Sequence, residues 1–184
     1  MEKTRLVSEV ERLVSSDAPD DVALNKVIEA VHEAHPTWDW SGIYLLVDGV
    51  LVIGPFAGSE EPPDHARIEI GDGVCGTAVA ENSNQLVTDV RQLDNYLACS
   101  LHTRSELVVL IHHEDEIVGQ FDIDSDTVGA FTKEDEELLE EIAHLVASHV
   151  ASLASGRALL TLRGVKSRSS SRTISKGVPD RRFE

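Results

Sequence analysis

Cysteine occurs twice in 184 residues, tryptophan and tyrosine twice each, methionine once and lysine only five times. Two cysteines cannot build a disulfide framework, and a chain of this length can bury a core large enough to fold without one or without a structural metal. Cys75 and Cys99 form no CxxC pair and have no histidines at zinc-type spacing. The spacing therefore predicts no metal site. The ordinary fate of two such residues is burial as small hydrophobes. No apolar run approaches the roughly 18–20 residues of a membrane span. The opening MEKTRLVSEVER alternates charge with aliphatics and lacks the apolar stretch of a signal peptide. These absences predict a soluble, cytoplasmic protein without membrane contact.

Positive charge is also scarce. There are 16 basic residues against 33 acidic, a net of −17, and it is distributed unevenly. Residues 157–184 hold eight basic and two acidic residues, a net of +6, which leaves residues 1–156 at eight against 31, a net of −23. A body so acidic is repelled by phosphate backbones, so nucleic acid is excluded as its partner. An acidic, lysine-poor surface resembles proteins from salt-loving organisms; an ordinary soluble acidic protein is the alternative. At 41% apolar and 27% charged residues the composition is that of a globular chain.

What is present divides into helix, sheet, helix. Leu6, Val7, Val10, Leu13 and Val14 keep to one helical stripe within residues 2–14, and Val22, Leu24, Val27, Ile28 and Val31 do so within 22–32. Asp17, Asp20 and Asp21 are available to cap the second helix, and Pro36 stops it. Residues 42–47 and 50–56 are β-branched runs joined by Asp48-Gly49, a strong hairpin signal. Strands are expected at 66–70, where Ile68 and Ile70 share a face, and at 85–90. Residues 107–111 and 117–123 flank the polar turn His112–Glu116 and form a second hairpin. Thr132 to Asp135 reads as a capping box for a last helix striped by Leu138, Leu139, Ile142, Leu145, Val146 and Val150. That helix is expected to end near Ser155-Gly156. The composition turns basic and Ser-rich beyond it, which predicts a mobile tail. The fold class is α+β, with a six-stranded antiparallel sheet and terminal helices on one face. Residues 1–156 form the domain and 157–184 the helix end and tail.

Three segments can carry chemistry. Gly71-Asp72-Gly73-Val74-Cys75-Gly76 joins a strand to a short helix at 77–81, placing Cys75 near a helix N-terminus. Strand alternation puts Asp122 and Asp124 on one face, with Phe121 and Ile123 on the other. Two such carboxyls in a concave face raise the pKa of at least one of them. Taken alone, that motif reads equally as a strand end with solvated aspartates. The loop Tyr96-Leu97-Ala98-Cys99-Ser100 leads to Ser105-Glu106 at the start of an apolar strand, where Glu106 supplies a third carboxyl.

In this order WSGIYLL, VIGPFAG, RIEIGDGVCGTAVA, VTDV, YLAC, SELVV, VGQFDIDS and FTKEDEELLEEIA resemble the free methionine-(R)-sulfoxide reductases, from about Val22 to Val150. These are small enzymes built on a GAF domain. The resemblance implies that Cys99 is the nucleophilic cysteine and Cys75 a second cysteine beside the pocket. It further implies that Glu106, Asp122 and Asp124 hold the substrate and that Trp40 and Tyr44 wall the pocket. There are departures. Ten residues before Cys75, where the family commonly has its resolving cysteine, stands His65. Ser100 and Arg104 replace an aspartate after the nucleophile and an asparagine before the glutamate, and Leu110 replaces a proline.

The implied reaction is thiol-dependent reduction of free methionine (R)-sulfoxide. The carboxyls bind the ammonium group, Cys99 attacks sulfur, and a carboxylic acid protonates the leaving oxygen. Cys99 is left as a sulfenic acid, which Cys75 resolves, and a thioredoxin-like protein or another thiol restores the enzyme. No bound cofactor is required, and a homodimer is compatible with the fold. Two readings compete with this one: a GAF sensor that binds a small ligand without chemistry, and a structural domain whose cysteines are core filler.

The charge distribution carries a prediction of its own. Screening at 1 M salt shortens the Debye length to about 3 Å and relieves the repulsion within the acidic body. The melting temperature should rise from low to molar salt; a melt indifferent to salt would refute the halophile resemblance.

Overall fold

Alternation along the central strands gives the sheet two chemically different faces. A computed structural model describes residues 3–59, 63, 65–97 and 100–169, and side chains as far as residue 159. In chain order the elements are α1 (Lys3–Val14), α2 (Asp20–His32), β1 (Trp40–Val47), β2 (Val50–Ala57), β3 (Arg67–Glu69), α3 (Gly73–Glu81), β4 (Gln85–Val87), β5 (Ser105–His113), β6 (Glu116–Ser125) and α4 (Lys133–Ser169). The six strands make one antiparallel sheet in the order β3-β2-β1-β6-β5-β4. This is the α+β arrangement expected from the sequence.

One face is apolar over most of its area, with Ser41 meeting His32 of α2 at its margin. Ile43, Leu45, Leu107, Val109, Ile111, Phe121 and Ile123 meet Leu6 and Val10 of α1, Leu24, Val27, Ile28 and Val31 of α2, and Leu139, Ile142, Val146 and Val150 of α4. The other face packs Tyr44, Val108 and Leu110 against Val74, Cys75, Ala78 and Val79 of α3. The terminal helices thus cover one side, and the short α3 covers part of the other. Among the described residues, no helix is long and apolar enough to cross a membrane.

Both hairpins turn on two residues with positive φ, Asp48 and Gly49 at 52° and 80°, and Glu114 and Asp115 at 49° and 66°. That backbone matches the twist of the flanking strands and fixes their register. Thr132 and Asp135 cap α4 reciprocally. The Thr132 N–H donates to Asp135 Oδ2 at 2.9 Å, and the Asp135 N–H donates to Thr132 Oγ1 at 3.3 Å.

Several boundaries differ from expectation. Pro19 occupies the N-cap of α2 and no side chain caps that helix. Asp20 instead accepts from Ser152 at 2.6 Å and meets His149 at 2.7 Å, tying the start of α2 to α4. Strand β3 stops at Glu69, which leaves Ile70 in the turn and 44% exposed. Helix α3 begins at Gly73 rather than at 77, and β4 ends at Val87 with a 3-10 turn over Val90–Gln92. Helix α4 runs through Gly156 to Ser169. Ser155 folds its hydroxyl back onto the Ala151 carbonyl at 2.9 Å. A glycine costs a helix interior only about 1 kcal/mol, too little to end it. The segment 170–184 lies outside the described residues.

Gly76 sets how closely α3 approaches the sheet edge. A Cβ there would collide with the Glu69 carbonyl and lie 2.9 Å from the Gly71 nitrogen, both main-chain atoms. Gly76→Ala should therefore destabilise the protein by about 1–3 kcal/mol, read as a lowered urea midpoint at unchanged m-value. An unchanged midpoint would mean that the turn between β3 and α3 yields freely.

Candidate active site

The β5–β6 hairpin brings the carboxyls together. Its register sets Glu106 opposite Asp124 and Val108 opposite Asp122, while β1 sets Gly42 against Asp122 and Trp40 against Asp124. Glu106, Asp122 and Asp124 all project from the face that α3 partly covers, and they are 6%, 1% and 5% exposed. Cys75, in the first turn of α3, directs its Sγ to Glu106 Oε1 at 3.9 Å. Donor atoms of Cys75, Glu106 and Asp122 lie within 4.8 Å of one another. Among the described residues, no ion pair involves any of the three carboxyls.

Burial without a counter-cation moves their titration upward. Asp122 rises from its ordinary 3.8 to about 6 because it is buried, although bonds from Cys75 and Glu106 pull the other way. Glu106 is pushed well above the usual range by burial, then by the charges of Asp122 and Asp124. Asp124 is likewise raised by burial and by Asp122 and Asp126, against the bond from Thr103. Burial and mutual repulsion therefore favour the protonated form across the cluster.

Two aromatic residues of β1 stand on the carboxyl side of the sheet. Trp40 lies across Gly42, where any Cβ would run into its indole, and stacks on Phe56 with ring centroids 6.2 Å apart and planes at 18°. Tyr44 is fully buried, and its hydroxyl donates to the His65 carbonyl at 3.0 Å. The residue standing where a resolving cysteine was expected is thus anchored to the site through its main chain. Arg104 keeps its charge away from the carboxyls, its guanidinium reaching Asp89 Oδ2 at 3.3 Å.

Of the seven site residues expected from sequence, the structure brings Cys75, Glu106, Asp122 and Asp124 to one face and sets Trp40 and Tyr44 on the same side of β1. Cys99 lies outside the described residues. Two participants escaped the sequence reading. Thr103, 3% exposed, bonds Asp124. Gln120 is fully buried on the carboxyl face with neither amide atom partnered among the described residues. Continuing the alternation back from Asp122 reaches Gln120; nothing in the sequence marks Thr103.

A model of the GAF domain matches residues 18–151. The free methionine-R-sulfoxide reductase of Escherichia coli (strain K12) is 36% identical over 146 residues, covering 77% of this chain and 87% of that protein. The structure of a type II free methionine-R-sulfoxide reductase from Thermoplasma acidophilum superposes with a TM-score of 0.69 at 39% identity, covering 72% of this chain and 93% of that one. The structure of fRMsr of Staphylococcus aureus in complex with substrate gives 0.73 at 33% identity, covering 82% and 96%. The chain belongs to the GAF domain family and, within it, to the free methionine-R-sulfoxide reductases.

The raised carboxyl titrations imply a pH dependence of stability with a definite sign. Between 3.8 and about 6 the folded protein holds a proton on Asp122 that the unfolded chain has released, so stability falls as pH climbs through that window. Asp122→Asn removes this penalty. It should raise stability at pH 8 by about 2–3 kcal/mol, with a smaller difference at pH 4. Denaturant melts at both pH values check this; a variant weakened equally at both would contradict it.

Proposed function

We propose that this protein reduces free methionine (R)-sulfoxide to methionine at the expense of a thiol. The observation that carries the reading is the set of three buried carboxyls, Glu106 and Asp122 against Cys75 and Asp124 beside them, with no cation paired to them among the described residues. A free amino acid supplies the ammonium group that such a set lacks. Family membership supports the same reaction, since the Escherichia coli relative bears that activity in its name. Trp40 would hold the S-methyl group and the positive character that develops on sulfur, with Tyr44 fixing the wall behind it.

In the proposed reaction the Cys99 sulfur attacks the sulfoxide sulfur, and one of the clustered carboxylic acids gives its proton to the oxygen. The oxygen ends on Cys99 as a sulfenic acid, oxidised by two electrons, while the substrate sulfur gains two and leaves as methionine. The Cys75 thiol then attacks the sulfenic acid, releasing water and forming a disulfide. A thioredoxin-like dithiol or a small thiol reduces that disulfide and is itself oxidised. The stretch just before Cys99 supports this assignment, because Leu97 packs on Gly73, two residues from Cys75. A disulfide requires Cα atoms roughly 4.4–6.8 Å apart. Residues 1–156 would form the catalytic unit, with 157–184 outside its chemistry.

The two thiols separate the steps. Cys99→Ser should lower both single-turnover methionine release and steady-state turnover by roughly a thousandfold or more. Cys75→Ser should preserve the first turnover and lose recycling by a dithiol protein. Equal loss in both assays for Cys75→Ser would make Cys75 a pocket residue rather than the resolver. Full activity in Cys99→Ser would refute the mechanism. Binding of the sulfoxide by the unmodified protein without release of methionine would identify a sensor instead.

A further inference from the structure

We infer that Cys75, Glu106 and Asp122 form a binding site for a thiophilic divalent cation, Zn²⁺ in particular, which occupies the carboxyl pocket in competition with the substrate's ammonium group. The spacing of the donors is the first argument. A tetrahedral zinc with bonds of about 2.3 Å to sulfur and about 2.1 Å to oxygen sets those two ligands about 3.6 Å apart. Cys75 Sγ and Glu106 Oε1 already stand at 3.9 Å, and all three donor atoms lie within 4.8 Å of one another. The Cys75–Glu106 pair needs a shift of only about 0.3 Å, and side-chain rotation of Asp122 would bring in the third donor.

Asp122 supplies an independent argument. Its side chain is 1% exposed, yet Oδ1 has no hydrogen-bond partner among the described residues. Asp122 thus bonds Cys75 and Glu106 while keeping one buried oxygen with an uncommitted lone pair, and a cation would replace the shared protons and engage that carboxylate. The charge balance points the same way, because no ion pair among the described residues involves Glu106, Asp122 or Asp124. The donor set then selects the ion. One thiolate with two carboxylates suits zinc, whereas calcium takes six to eight oxygens and magnesium near-ideal octahedral oxygen coordination. Three protein ligands leave a fourth tetrahedral position open. The donors come from α3, β5 and β6, so no short sequence motif announces them.

Metal binding would displace the Cys75 proton and occupy two of the carboxyls that hold the substrate. The metal site stands on its own geometry; its action as an inhibitor rests on the proposed reductase reading. Reduced full-length Cys99→Ser protein titrated with Cd²⁺ should develop a sulfur-to-cadmium charge-transfer band in the ultraviolet that saturates at one equivalent. The band should vanish when Cys75→Ser is added, with circular dichroism confirming that the variant is folded. Glu106→Gln and Asp122→Asn should each weaken Zn²⁺ binding by roughly tenfold or more in calorimetry. In the unmodified enzyme, with a non-chelating phosphine as reductant, Zn²⁺ should raise the apparent KM for methionine sulfoxide and leave kcat unchanged. No saturating band, a band that survives loss of Cys75, or unchanged affinity in both carboxamide variants would overturn the site. Cadmium binding without any turnover would leave the site standing and refute the reductase, whereas turnover without cadmium binding would do the reverse.

Discussion

Burying three like-charged groups side by side is the constraint on which the rest of the structure depends. A buried carboxylate without a partner is too costly to keep ionised, and a protein relieves that cost with a counter-cation, with hydrogen bonds or with a proton. Here the nearest guanidinium in sequence, that of Arg104, is committed to Asp89. Glu106 and Asp124 are therefore pushed well above the carboxylate range, and Asp122 to about 6. An arginine turned inward would neutralise the cluster and strengthen the fold, but it would fill the place that the proposed reaction gives to the substrate's ammonium group. The site is kept less stable than it need be, and in the proposed reading that deficit is what would favour a cationic substrate group.

The sheet holds this arrangement because its other face cannot tolerate the alternative. A slip of β6 by one residue against its neighbours would turn Asp122 and Asp124 into the helix layer and Phe121 and Ile123 away from it, and the same slip of β5 would exchange Glu106 with Leu107. Leu107, Phe121 and Ile123 are fully buried against the helix layer. Exposing them would forfeit about 1.5–3 kcal/mol for each side chain. The apolar core thus fixes the position of polar groups it never touches. The left-handed pair Glu114 and Asp115 enforces the same register from the turn.

Local patterns in the sequence were sufficient where the chemistry is periodic. Alternation located both hairpins, put Asp122 and Asp124 on one face, and separated them from Phe121 and Ile123 as observed. The boundaries that shifted are those where a distant partner outweighs a local preference. Asp20 was free to cap α2 by its position, but α4 offers it both His149 and Ser152. The helix was expected to stop at Gly156 because the composition changes there, yet one glycine is a weak terminator in a long helix. Thr103 could not be read from sequence at all, since its importance lies in a bond to a strand 21 residues away. The proximity of Cys75 to Glu106 was legible only through the family resemblance, because their contact spans 31 residues.

His65 shows how a site of this kind can keep its shape while one of its residues changes. The family commonly has a cysteine at that position, and its loss would be expected to disturb the pocket. What the pocket uses, however, is the main-chain carbonyl of residue 65, which accepts the Tyr44 hydroxyl. A carbonyl is indifferent to the side chain beside it, so Tyr44 remains fully buried and β1 keeps its register with β6. The proposed chemistry divides along the same line. In that chemistry substrate recognition would rest on strand positions fixed by the sheet, and recycling on Cys75 of α3, with no part left for the side chain of residue 65. Because residue 65 contributes its main-chain carbonyl, a change of its side chain leaves the Tyr44 anchor in place and does not reopen the problem of burying three carboxyls.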